Sequence, residues 1–328
     1  MVTVSGNFYA GLKDASIRRM SRSVSSPVLT ALISVILISA PAASQSQPGE
    51  IVGHKLPLPG EPVHGTTDQL SEVEREIIDH MDPQQQAERL LQYAISHHHG
   101  ATDEIKARAR GWRGQIKMTD SMRALMDVAL NGEDLRVRAA VFEIDLAIAG
   151  MAKTKEQAEM LLQAAENDPP HAELSIWYLG FLANRGVETG RIHNQLRLWA
   201  RSEKEQVRLR AVCAIADIGT DNSVPDLVEA FHHDPSFRVR IDAGGCGLAH
   251  CGMLTRAQRM QAVPGLIEMV EDKKLDAETV KYGYRALREI TDQTLGDQPT
   301  LWREWYATHG AEATERFRQF EKENEAKP

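Results

Sequence analysis

The chain has 328 residues, 42% of them apolar and only 5% aromatic, with a formal net charge of −8 at pH 7. That length suits two ordinary domains or one elongated array, and so few aromatic residues argue for helices against a β-sandwich. Residues 1–44 hold Lys13, Arg18, Arg19 and Arg22 against Asp14 alone, so the remainder sets 34 basic against 45 acidic residues, a surface that repels polyphosphate and excludes nucleic acid as the expected partner.

The first element is a leader. Arg18, Arg19 and Arg22 form a positive region, Val28 to Ala40 is mostly apolar, and Ala40-Pro41-Ala42 is small at the positions a signal peptidase reads. Cleavage is expected after Ala42 or Ser44, with Met20 as the biological start and an exported mature chain, periplasmic or extracellular. The apolar stretch falls short of the roughly 20 residues of a membrane-spanning helix, so no permanent span is expected after cleavage. An Arg18-Arg19 twin-arginine signal lacks its usual apolar follow-up, and no cysteine follows that would suggest a lipoprotein. Residues 45–66 hold four prolines and four glycines and read as a linker.

Residues 67–80, 83–97 and 102–116 read as three helices, punctuated by Asp82-Pro83 and by Gly100-Ala101-Thr102. They lack the pattern that follows, which makes 67–118 an amino-terminal helical cap. From 119 the chain repeats itself. In "VRLRAVCAIADIG", Val207, Ala211, Ala214, Ile215 and Ile218 stand at offsets 0, 4, 7, 8 and 11, one face of a helix that Gly219 stops. Val224, Leu227, Val228 and Phe231 mark a second helix with Pro225 in its first turn. "SVPDLVEAF" returns 39 residues later as "AVPGLIEMV", with Val263, Pro264 and Leu266 in place. "TVKYGYRALREI" lies 72 residues after the first helix type, and "DLRVRAAVFEIDLAIAG" at 134–150 lies about as far before it. "AELSIWYLGFLANRG" at 172–186 and "DPSFRVRIDAGGCGLAHCG" at 234–252 are further copies. Amphipathic stretches at 119–130, 154–167 and 190–202 complete about five helix pairs over 119–309.

Asp234-Pro235 followed by Val239, Arg240 and Ala243 resembles the short, PBS-lyase-like HEAT repeats. So does Val207-Arg208 with Ala211, Ala214, Ile215 and Gly219, followed by Val224-Pro225-x-Leu227. The resemblance is weak at 154–190, where the Val-Arg pair is missing. It implies an all-α fold, an α-solenoid (superhelix) of about five helix pairs with helical caps at both ends. Each pair carries two apolar stripes and buries them only against its neighbours. It also implies that Arg208 and Arg240 reach a carboxylate or carbonyl of the adjoining repeat. Trp302 and Trp305 resemble the closing cap of such arrays, with 310–328 as a polar helical tail. Bilin attachment does not follow, because the repeat is a scaffold shared by many non-lyases.

Candidates for chemistry are sparse. His97, His98 and His99 are consecutive, so on one helix they point apart and cannot share an ion. His232-His233 ends a helix and suits its last carbonyls. Cys246 and His250 are four apart and share a helical face, with Cys251 adjacent and Cys213 one repeat earlier. A metal site, a Cys213–Cys246 or Cys246–Cys251 disulfide and buried free thiols are all open, the free thiols being the expectation. Gly244, Gly245 and Gly247 cost helix stability unless something packs closely there, a neighbouring helix above all.

No Gly-x-Ser-x-Gly, phosphate-binding glycine loop or His-Glu-x-x-His occurs. The expectation is therefore a non-catalytic, cofactor-free scaffold binding a protein or peptide. The alternatives are an exported enzyme or enzyme accessory using Cys246–Cys251, and a leader-tethered envelope component.

Overall fold

A computed structural model describes residues 69–325; the leader with its cleavage position Ala42, the start at Met20 and the linker 45–66 lie outside the described residues. Several helices begin where a polar side chain takes a free backbone N–H group. Ser71 with Glu74 caps α1 (Glu72–Asp79), and Asp82 with Gln85 caps α2 (Pro83–Ile95), each forming a reciprocal capping box. Then come α3 (Ala101–Trp112), α4 (Asp120–Asn131, capped by Thr119) and α5 (Leu135–Ile148, capped by Asp134). Next are α6 (Lys155–Asn167, capped by Thr154), α7 (Ala172–Asn184), α8 (Thr189–Trp199) and α9 (Glu205–Ile218). Gly219 ends α9 in the left-handed region at φ 68°.

After α10 (Ser223–His233) comes a helix with π-type bonding over Val239–Gly245 and Gly247–Cys251, here the π helix. The short α11 (Arg256–Arg259) passes through a 3-10 turn into α12 (Val263–Glu271). The chain closes with α13 (Ala277–Thr291) and α14 (Pro299–Glu325). The described residues are thus all-helical, and none of their helices is long and apolar enough to cross a membrane.

Three features differ from the expectation. The helix at 234–252 is π-wound, α11 was not foreseen, and the boundary drawn between 309 and 310 falls inside the unbroken α14. Trp302 is fully buried and its indole N–H donates to the Gly296 carbonyl at 2.8 Å. Trp305, by contrast, is half-buried and stacks on His309, while Phe317 is buried further along α14.

Burial separates two kinds of helix. Eleven residues of α5, nine of α7 and ten of α9 are buried, against three each in α4, α6 and α8. The reason is position: α5, α7, α9, the π helix and α13 each touch the next in that series, while α4, α6, α8, α10 and α12 each pack against a member of it. A helix with packed neighbours on several sides loses its polar stripe. Small residues permit the closest approaches. At Gly180 of α7 an added Cβ would stand 3.0 Å from the Ala214 backbone of α9.

Two apolar cores result. One runs from Leu70 to Ala147 and the other from Ala139 to Phe317. They meet in α5, whose Val141 and Ile144 face the first while Phe142 and Leu146 face the second. The Phe142 ring stacks on Phe181 of α7 with centroids 4.0 Å apart.

Candidate functional site

Arg138, Arg208 and Arg240 share one geometry. Arg138 Nε donates to the Gly132 carbonyl at 2.8 Å, Arg208 Nη1 to Ser202 at 2.9 Å and Arg240 Nη1 to Asp234 at 2.8 Å, each six residues back. Their remaining N–H groups reach forward. Arg208 forks onto Asp234 at 2.8 and 3.2 Å, and that bond raises its pKa above the ordinary guanidinium value. Arg240 reaches Asp276 at 2.7 Å and the Thr279 hydroxyl at 3.2 Å. Arg138 instead crosses to the end of the π helix, with its Nη1 2.6 Å from the His250 carbonyl and 2.9 Å from that of Gly252.

The glycines explain how the π helix is seated. A Cβ on Gly244 would lie 2.7 Å from Phe231 N, one on Gly245 3.0 Å from the Phe231 ring, and one on Gly247 2.7 Å from the Ala216 Cβ. The close neighbours are thus α10 and α9 themselves.

π winding also sets the chemistry. With hydrogen bonds from i to i+5, residues five apart come round to nearly the same side, which they do not in an α-helix. Cys246 and Cys251 are joined as a disulfide with Cα atoms 5.2 Å apart. His250 Nε2 lies 3.6 Å from Cys246 Sγ, and donor atoms of the three side chains lie within 4.8 Å of one another. The other ring nitrogen, Nδ1, is 3.0 Å from Glu289 Oε2 on α13. Glu289 also accepts from Arg285 Nε at 2.7 Å. Burial pushes the Glu289 carboxyl up, but the bonds from His250 and Arg285 outweigh it and hold the pKa low. All four groups are partly exposed.

The free-thiol expectation therefore applies to Cys213 alone, whose thiol burial pushes up to about 12. Among the described residues, Cys246, His250 and Cys251 form the one cluster of three or more metal-donor side chains.

The three consecutive histidines sit differently from the helical arrangement expected. α2 stops at Ile95, and His97 turns left-handed at φ 59°. As a result His97, His98 and His99 all line one cleft of about 580 Å³, together with Asp134, Arg136 and Arg185. They do not gather around one point. His97 Nδ1 is 3.6 Å from Asp134 Oδ2, while His98 packs its ring on Tyr93. The bond to Asp134 raises the His97 pKa. Burial would raise the Asp134 carboxyl, yet bonds from His97 and Arg136 hold it well below the usual carboxylate range. At the cleft floor the buried Glu143 accepts from Lys153 Nζ at 2.7 and 2.8 Å, with Arg185 Nη1 3.6 Å away.

His232 also finds a partner, Asp272, 3.1 Å away, in place of its own helix's carbonyls. The sequence offered no signal for Glu289, Asp134 or Glu143, because each is recruited from a helix other than the one carrying its partner histidine or lysine, or lies a turn away from it. Compared with protein-family models and with curated proteins, the chain matches none.

Proposed function

We propose that the chain is a HEAT-like α-solenoid acting as an exported, non-catalytic scaffold that binds a peptide segment of a partner protein. The recurring arginine geometry and the two rows of helices support the solenoid reading, since both place equivalent residues at equivalent points of successive pairs. The observation that carries the binding reading is the cleft where the two cores meet. Its roughly 580 Å³ lies within the range of ligand-binding clefts. Side chains of both signs from separate segments, Lys106, Arg136 and Arg185 against Asp103, Asp134 and Glu143, line it. That mixture suits an extended peptide whose own charges alternate, and it gives specificity more than raw affinity.

The test is a pull-down from periplasmic extract with the mature protein and with an R136E/R185E variant. Saturable capture of a partner, weakened at least about tenfold by the charge reversals, is expected. Capture that is unsaturable, or equal with both proteins, overturns the reading. The intact mass of the secreted chain separates cleavage near Ala42 from a retained leader that tethers the repeats.

A further inference from the structure

We propose that Cys246, Cys251 and His250 form a redox-gated site for one thiophilic d10 cation, zinc or copper(I), closed in the disulfide state described above and open when the two sulfurs are thiols. The proposal is independent of the scaffold reading.

Distance carries the argument first. In a tetrahedral zinc site with Zn–S about 2.3 Å and Zn–N about 2.0–2.1 Å, sulfur and nitrogen stand about 3.6 Å apart. Cys246 Sγ and His250 Nε2 are 3.6 Å apart. The histidine is also oriented for this purpose. Its Nδ1 faces the Glu289 carboxylate at 3.0 Å, so Nδ1–H donates there and the Nε2 lone pair is directed at the sulfur. A carboxylate behind a histidine fixes the tautomer and strengthens it as a metal ligand, and Arg285 holds that carboxylate from its far side. A disulfide alone needs none of this.

The winding of the helix supplies the third ligand by bringing Cys251 beside Cys246. Three protein ligands leave a fourth position open, and the half-exposure of all three gives a metal a way in.

Gating balances as thiol–disulfide exchange. A dithiol reductant gives two electrons and two protons to the Cys246–Cys251 bond, yielding two thiols and the reductant's own disulfide. The cation then displaces the thiol protons as the sulfurs coordinate. An oxidised small-molecule disulfide takes the two electrons back, re-forms the bond and expels the cation.

The experiment titrates Zn²⁺ calorimetrically, and Cd²⁺ by its ultraviolet thiolate-to-metal absorption, into the mature protein, either phosphine-reduced or left oxidised. The expected result is one equivalent bound by the reduced protein and binding at least about tenfold weaker in the disulfide state. C246S and C251S each abolish the absorption, C213S leaves it intact, and E289Q weakens affinity about 10–100-fold while the absorption persists. Equal binding in both redox states overturns the proposal. So does a reduced protein without the absorption, or a folded C246S/C251S variant that binds like the parent.

Discussion

Arg138 and His250 stand 112 residues apart, yet the guanidinium of one donates to the backbone carbonyl of the other at 2.6 Å. The last carbonyls of a helix lack partners within it, and cations are favoured there. In the π helix two arginines meet that need. Arg138 holds His250 and Gly252, while Arg259 donates to Ala249, Leu254 and Gly252. The arrangement has a cost: burial, together with repulsion from Arg138 and Arg256, lowers the Arg259 pKa to about 10. Contact here is therefore not confined to helices consecutive in the chain, since Arg138 of α5 holds the end of the π helix.

Replacing that arginine should release the lock. R138M takes the arginine donor from the Gly132 and His250 carbonyls and leaves Gly252 to Arg259 alone, at a cost of about 2–4 kcal/mol. Hydrogen exchange should speed up at residues 249–254 as well as around 132. If exchange rises only near residue 132, the long-range bond contributes nothing.

Most of this architecture was legible in the residues. The offsets 0, 4, 7, 8 and 11 from Val207 located α9, and Asp82-Pro83 and Gly219 set helix ends, because capping and periodicity are local. What was hidden depends on winding and on distant partners. Nothing in "RIDAGGCGLAHC" distinguishes π from α bonding, so the Cys246–Cys251 pairing stayed one open choice among a metal site, a Cys213–Cys246 disulfide and free thiols. Glu289, 39 residues from His250, carries no mark of its role. The histidines at 97–99 do not share one point, as their consecutive spacing implied, but the helix carrying them stops at Ile95, two residues before the end expected at 97.

The forward-reaching arginines should differ in worth. The Arg208 and Asp234 side chains are 11% and 4% exposed, whereas Asp276, the partner of Arg240, is 46% exposed. Breaking a buried pair costs about 3–5 kcal/mol because it strands a charge; an exposed pair is worth about 0–1 kcal/mol. Denaturant unfolding should therefore show D234N far more damaging than D276N, in which asparagine can still cap α13. Equal midpoints would contradict the assignment of Arg208–Asp234 as a tie between pairs.

The contact between the turn after α2 and the start of α5 should depend on pH in a defined direction. His97 has its pKa raised by Asp134, so its contribution is fully present below the unfolded histidine value near 6.5 and fades as pH climbs through the higher folded value. Asp134 has its pKa lowered, so its contribution is present above the unfolded value near 3.8 and fades as pH falls toward the folded one. The pair is thus strongest between those limits. An NMR titration of the His97 ring should show a raised pKa that D134N returns toward 6.5. An unchanged titration in the variant would remove Asp134 as its cause.

The glycines of the π helix set up the sharpest contrast in stability. Alanine normally favours a helix over glycine by about 0.5–1 kcal/mol, and at Gly111 of α3 an added Cβ meets nothing within 4 Å. G111A should therefore stabilise by about that amount. At Gly244 the same methyl would stand 2.7 Å from Phe231 N and 2.9 Å from its Cα, backbone atoms that can yield only if α10 moves. Overpacking of this kind costs about 1–3 kcal/mol, so G244A should lower the melting temperature while G111A raises it. Because α10 and the π helix would separate, G244A should also disturb the seating of Cys246 and Cys251 and quicken reduction of their disulfide. A G244A protein as stable as the parent would show that the π helix is not held by close contact with α10.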